Sequence, residues 1–216
     1  MFTGHYSGSF AGKALNRTIP LWVLFVAVQL LDFAWSILVL LGIEKVRIVP
    51  GFMAASALDL YYMPYTHSLA GALAWSVVGG VVFRVLWKSS WNAALIVGLA
   101  VFSHWILDLL VHAPDLLIYG NLKAGFGLWN YFWPEFALEV ALLAATIVWY
   151  LHEVTAPGVK RRTWILFAIL LACQCLDKFG PPPGSPAQAA GSALAAYVVL
   201  AALAAWAGRG SENKLA

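Results

Sequence analysis

Charge is what this chain of 216 residues has least of: Asp, Glu, Lys and Arg make up 11% of it, while 62% is hydrophobic. About a quarter of an average soluble chain is charged, so 13 Lys+Arg and 10 Asp+Glu are too few to clothe a water-soluble body. Most of the chain reads as solvated by lipid. The formal charge of +3 is small and scattered, which sets aside nucleic-acid binding through phosphate neutralisation. Cysteine is nearly absent as well. Cys173 and Cys175, at i and i+2 in an apolar run, point to different sides of a helix and report nothing on redox compartment. A nucleophile elbow, a phosphate-binding glycine loop, a zincin motif, an internal repeat and a long hydrophilic segment are all missing.

What is present is a series of apolar runs. Windows of about 20 residues predict six spans, at 20–42, 67–87, 91–112, 134–152, 163–179 and 187–207. The expected fold is therefore all-α, a polytopic transmembrane helix bundle forming one domain over 1–216. The run Ile19 to Ile43 follows Lys13 and Arg17, but it is too long for a signal peptide and lacks a small-residue cleavage site, so it reads as a retained span. The fifth span is the weakest, with only Thr163 to Leu176 between Arg162 and Asp177. Six spans place Lys13, Arg17, Arg84, Lys88, Lys160, Arg161, Arg162, Arg209 and Lys214 on one side, against Lys45, Arg47, Lys123 and Lys178 on the other. That bias predicts a multi-pass protein of the cell inner membrane with both termini cytoplasmic. The two larger outer loops, 48–66 and 113–134, are rich in Pro, Gly and aromatic residues and are expected to fold onto the membrane face.

Ionisable residues inside spans carry the functional information, because each is costly in lipid unless it faces the bundle interior with a partner. Asp32 lies in the first span with Gln29 and Ser36 on the same helical face. His104, Asp108 and His112 follow at spacings of four and form one stripe on the third span. Glu135 and Glu139 open the fourth span, and Thr66-His67-Ser68 opens the second. An imidazole and a carboxylate one turn apart present either two metal ligands or a base with its orienting partner. Spacing alone leaves the choice between a metal site and a proton site open.

Four pieces, in order, resemble the membrane-bound metal-dependent hydrolase family of the LexA-regulated inner-membrane type. They are Gly4-His5, the acidic Asp32 late in the first apolar segment, Thr66-His67-Ser68, and Ser103-His104-x-x-x-Asp108 followed by a proline-containing loop. The resemblance covers about residues 1–135. It implies one or two divalent metal ions, Zn²⁺, Mn²⁺ or Fe²⁺, held by His5, Asp32, His67, His104 and Asp108. The chain departs from the family's richer Asp-x-Asp-His cluster, having Asp32-Phe33-Ala34-Trp35, and from its His-Arg pair, having Met63, Pro64 and Tyr65. His5 sits at the wrong end for a cytoplasmic terminus unless residues 2–15 form a helix that enters the bundle, as Phe2, Tyr6 and Phe10 at spacing four allow.

The expected function is a membrane-embedded hydrolase in which metal-activated water acts on an amphiphilic or lipid-like substrate, with Asp32, Glu139 and His112 as candidate catalytic groups. Membrane lipids are the expected surroundings. The alternative is a proton- or ion-coupled transporter using the same intramembrane residues, and a third reading has them gluing helices together.

Overall fold

Apolar runs bounded by serine, proline and glycine become helices with defined ends. Ser68, Ser90 and Ser185 cap three helix starts by accepting from Gly71 N, Ala93 N and Gln188 N at 2.9, 3.2 and 3.1 Å. Pro157 and Pro186 open two helices at the first turn, where a missing N–H costs nothing. The computed structural model describes residues 1–211. Its helices are α1 Tyr6–Leu15, α2 Leu21–Val28, α3 Leu30–Leu40, α4 Leu69–Leu86, α5 Trp91–Val111, α6 Phe132–Glu153, α7 Pro157–Phe179 and α8 Pro186–Ala207. A short 3-10 turn, Thr3–His5, leads into α1, and a second, Leu128–Asn130, precedes α6.

The expected bundle is present in its coarse form. Four helices, α4, α5, α6 and α8, are long and apolar enough to cross a membrane, and the bent pair α2/α3 makes a fifth crossing if counted as one span. The expected sixth, α7, has 23 residues but carries Lys160, Arg161 and Arg162 at one end and Asp177 and Lys178 at the other. Large apolar side chains on α4, among them Val77, Val85 and Leu86, point outward, as a lipid-facing helix requires.

The all-α expectation is corrected at both outer loops, which form antiparallel hairpins. β1 Lys45–Met53 pairs with β2 Ser56–Tyr62, and β3 Leu116–Tyr119 pairs with β4 Leu122–Ala124. The first hairpin alternates Lys45, Val46 and Arg47 between solvent and core, and Arg47 bonds Asp59 across the ladder at 2.7 Å. Hydropathy windows register such strands only as loop. Both hairpins gather at one end of the bundle.

The first span is the second correction. A 51° bend at Gln29 divides it into α2 and α3. α1 is also inside the bundle: it packs on α6, α2 and α5, with Tyr6 and Phe10 fully buried. Gly4, Gly8 and Gly12 form the stripe that permits this close approach. A Cβ at Gly8 would lie 2.6 Å from Ser103 Oγ and 3.1 Å from Val28 Cγ1. At the far end of α1, Asn16 meets Asn92, Arg17 meets Glu153, and Arg162 caps the carbonyl of Ala207. The expected basic end is therefore assembled away from the hairpins. Lys214 lies outside the described residues.

Candidate metal centre

The break at Gln29 frees a carbonyl in the middle of an apolar helix. Val28 O takes it up at once, accepting from His104 Nδ1 at 2.7 Å. A carbonyl can only accept, so Nδ1 donates and Nε2 of His104 is turned inward. Gln29 is itself fully buried, and its Nε2 donates to Phe2 O at 3.4 Å.

His67 is set by a longer chain of the same kind. Glu44, 1% exposed, accepts Tyr65 N and Thr66 N on Oε1 at 2.8 and 3.0 Å, and the Thr66 hydroxyl on Oε2 at 2.7 Å. Having given its one proton to the carboxylate, the Thr66 oxygen accepts from His67 Nδ1 at 2.7 Å. His67 Nε2 is thereby also turned inward. Trp105 Nε1 holds the His67 carbonyl at 3.0 Å, fixing the backbone as well. His112 repeats the pattern, its Nδ1 on Asp115 Oδ1 at 3.0 Å and its ring 4.4 Å from that of Trp129.

Three imidazoles so oriented converge on two carboxylates. His104 Nε2 lies 3.3 Å from His67 Nε2, 3.1 Å from Asp108 Oδ2 and 3.5 Å from Asp32 Oδ1. His67 Nε2 lies 3.3 Å from Asp32 Oδ1 and 3.5 Å from Asp108 Oδ2. Asp32 keeps its other oxygen on the Tyr197 hydroxyl of α8 at 2.7 Å. His5, brought in by α1, stacks on His104 with ring centroids 3.7 Å apart, and its Nε2 is 3.1 Å from Asp108 Oδ1. The Met1 α-amino group reaches the same oxygen at 2.8 Å. Two groups are compact enough to hold an ion, His5/His104/Asp108 and Asp32/His67/His104.

All five residues that the resemblance implies as ligands are thus in one place, and the entry of α1 removes the geometric objection to His5. His112 joins them. Glu139 does not, because its Oε2 accepts Phe2 N at 3.0 Å and Gly4 N at 2.8 Å, and it faces Lys178 at 3.7 Å. Its place is under the N-terminal segment. Glu135, beside it, pairs with Lys178 at 2.9 Å and accepts Trp129 Nε1 at 3.2 Å.

Glu44, Thr66 as a relay, Asp115 and Tyr197 are functional neighbours that sequence reasoning missed. Only the spacing His112–Asp115, one helical turn, carried a signal for any of them. A cavity of about 850 Å³ opens beside the cluster. Asp32, His67, Asp108 and His112 line its polar end, while Leu58 and Met53 of the first hairpin and Ala193 and Ala196 of α8 line its apolar part.

No protein-family model, curated protein or solved structure matches the chain.

Proposed function

We propose that the protein is a membrane-embedded, metal-dependent hydrolase acting on an amphiphilic substrate. One observation carries the reading: the Nε2 atoms of His67 and His104 lie 3.3 Å apart, each Nδ1 turned to a partner of its own, and a carboxylate oxygen closes each side. Two imidazole nitrogens and two carboxylate oxygens gathered in a buried site make a donor set suited to a divalent cation. When bound there, a divalent cation supplies Lewis-acid polarisation of a carbonyl or phosphoryl group and acidifies water.

The chain's own residues supply the remaining requirements. Asp32 and His112, two of the residues expected to be catalytic, line the cavity, and in this reading one of them accepts the proton of an entering water. The water oxygen adds to the acyl carbon or phosphorus, and the proton passes on to the leaving alkoxide. The first hairpin covers the site and limits bulk water. The alanine-rich wall of α8 offers an apolar groove to an acyl chain. The basic end of the bundle is then cytoplasmic, in an inner membrane, and the hairpins external.

Purified full-length protein loaded with Zn²⁺, Mn²⁺ or Fe²⁺ is expected to hydrolyse members of a panel of lipid-like esters and phosphoesters, and His104→Ala to abolish the reaction. The broken α2/α3 span is a feature shared with transporters. Equal hydrolysis by His104→Ala, or metal-independent solute uptake into proteoliposomes, would replace the hydrolase reading with that one.

A further inference from the structure

The cavity wall holds an unsatisfied donor. Trp35, 5% exposed, lies in that wall on α3, one helical turn from Asp32 and on its hairpin side. Its Nε1–H is buried without a hydrogen-bond partner, and among the described residues lining the cavity no other side chain has such an atom. The other two aromatic donors in the wall are committed, Trp129 Nε1 to Glu135 Oε1 at 3.2 Å and the Tyr197 hydroxyl to Asp32 Oδ2 at 2.7 Å. An indole nitrogen can only donate, so the missing partner is an acceptor oxygen. A buried donor left without one is costly.

Charge around the cavity decides what kind of oxygen that is. Lys178 is the one Lys or Arg among the described lining residues, and it already faces Glu135 at 2.9 Å, Asp177 at 3.4 Å and Glu139 at 3.7 Å. The Met1 ammonium is on Asp108 Oδ1 at 2.8 Å. With Asp32, five carboxylates stand against two ammonium groups, an excess that one divalent ion does not cancel. An anionic phosphoester would find no uncommitted ammonium or guanidinium there. An uncharged carbonyl oxygen needs only a neutral donor, which Trp35 provides.

We propose that Trp35 is a substrate-binding residue whose Nε1–H donates to the carbonyl oxygen of an uncharged, long-chain carboxylic ester, and that the cavity selects such esters over phosphoesters. The inference rests on the hydrolase reading and narrows its substrate class. Trp35 keeps its proton throughout and holds the ester by its carbonyl, while the alkyl chain lies in the apolar part against Ala193 and Ala196.

The test uses two non-hydrolysable probes of equal chain length, dodecyl methyl ketone labelled with ¹³C at the carbonyl and dodecylphosphonate, with the purified full chain in nanodiscs. Isotope-edited infrared spectra of wild type are expected to show the labelled carbonyl stretch at lower frequency than in empty nanodiscs. Trp35→Phe keeps an aromatic ring in the wall; it is expected to lose that shift and to bind the ketone about fivefold more weakly, the effect of one neutral hydrogen bond. Dodecylphosphonate is expected to bind wild type about tenfold more weakly than the ketone, and equally in both proteins. An unshifted carbonyl in wild type overturns the proposal, as does a shift that survives Trp35→Phe or a phosphonate that binds as tightly as the ketone. The wild-type spectrum and the ratio of the two affinities decide the matter even where Trp35→Phe fails to fold. Neither probe reacts, so a shift that Trp35→Phe abolishes, in a protein that hydrolyses no ester, would sink the hydrolase reading and leave Trp35 as a carbonyl-binding residue. Ester hydrolysis with an unshifted carbonyl would do the reverse.

Discussion

Thr66→Val isolates the relay that aims His67. The substitution is nearly isosteric, and residue 66 is fully buried, so the fold loses little volume. What it loses is chemistry: the 2.7 Å bond from His67 Nδ1 has no acceptor, and Glu44 Oε2 loses its 2.7 Å donor. Glu44 Oε1 still holds the backbone N–H groups of Tyr65 and Thr66, so the turn before α4 persists. Removing the outer partner of a ligating histidine weakens metal binding by about 10–100-fold, which is about 1.4–2.7 kcal/mol. An unpaired buried imidazole N–H costs about 1–3 kcal/mol, the same range reached from the other side. The assay is competition for Zn²⁺ between purified protein and a chromophoric chelator, with Thr66→Ser as the control that keeps the hydroxyl. Wild-type affinity in Thr66→Val, or equal weakening in Thr66→Ser, would refute the relay.

Tyr197→Phe removes the hydroxyl at 2.7 Å from Asp32 and is expected to weaken metal binding by about tenfold in the same competition assay without lowering the melting temperature. Gly8→Ala places a Cβ 2.6 Å from Ser103 Oγ, and the shift of α1 it forces should destabilise the fold by about 1–3 kcal/mol, read as a lower melting temperature. Lys178→Met strips a cation from between Glu135 and Glu139 and is expected to destabilise by about 3–5 kcal/mol, because two buried carboxylates lose their counter-charge and keep only neutral donors. Metal binding displaces protons from its ligands, so bound metal should fall as pH is lowered and recover as it is raised, followed by equilibrium dialysis.

Asp32, His67, His104 and Asp108 were legible in the sequence because lipid makes an ionisable residue conspicuous, and two of them lie one turn apart on α5. His5 was legible as a motif but not as a position. Phe2, Tyr6 and Phe10 at spacing four allowed α1 a place inside the bundle, and Gly4, Gly8 and Gly12, at the same interval, were the further signal that went unread, since small residues so spaced mark close helix contacts. Glu44 follows the first apolar run and looks like any residue leaving the membrane. Its burial depends on the hairpin Lys45–Tyr62 folding back, a long-range contact that no local pattern encodes. Tyr197 sits in a run of alanines on α8, where a tyrosine reads as an ordinary interface aromatic until its hydroxyl is seen on Asp32. Glu139 misled in the opposite way. A buried carboxylate invites a catalytic role, and the backbone it satisfies becomes visible only once residues 1–5 are placed.

Non-helical backbone at membrane depth survives only where it lines a cavity or finds internal partners. The chain has two such pieces side by side, the break at Gln29 and residues 1–5 before α1. Their polar groups are met one by one: Val28 O by His104, Phe2 O by Gln29, Phe2 N and Gly4 N by Glu139, and Thr3 N and its hydroxyl by Gln174 Oε1 at 3.4 and 2.8 Å. Three buried polar residues that resemble stations of a proton relay, Gln29, Glu139 and Gln174, are thereby committed to holding backbone in place. In a broken-helix transporter the freed carbonyls coordinate the travelling ion. Here the freed carbonyl of Val28 holds a histidine instead, and the histidine's other nitrogen is what faces the site. The irregular backbone has been used to aim ligands, an arrangement suited to a resident ion and a substrate that comes to it.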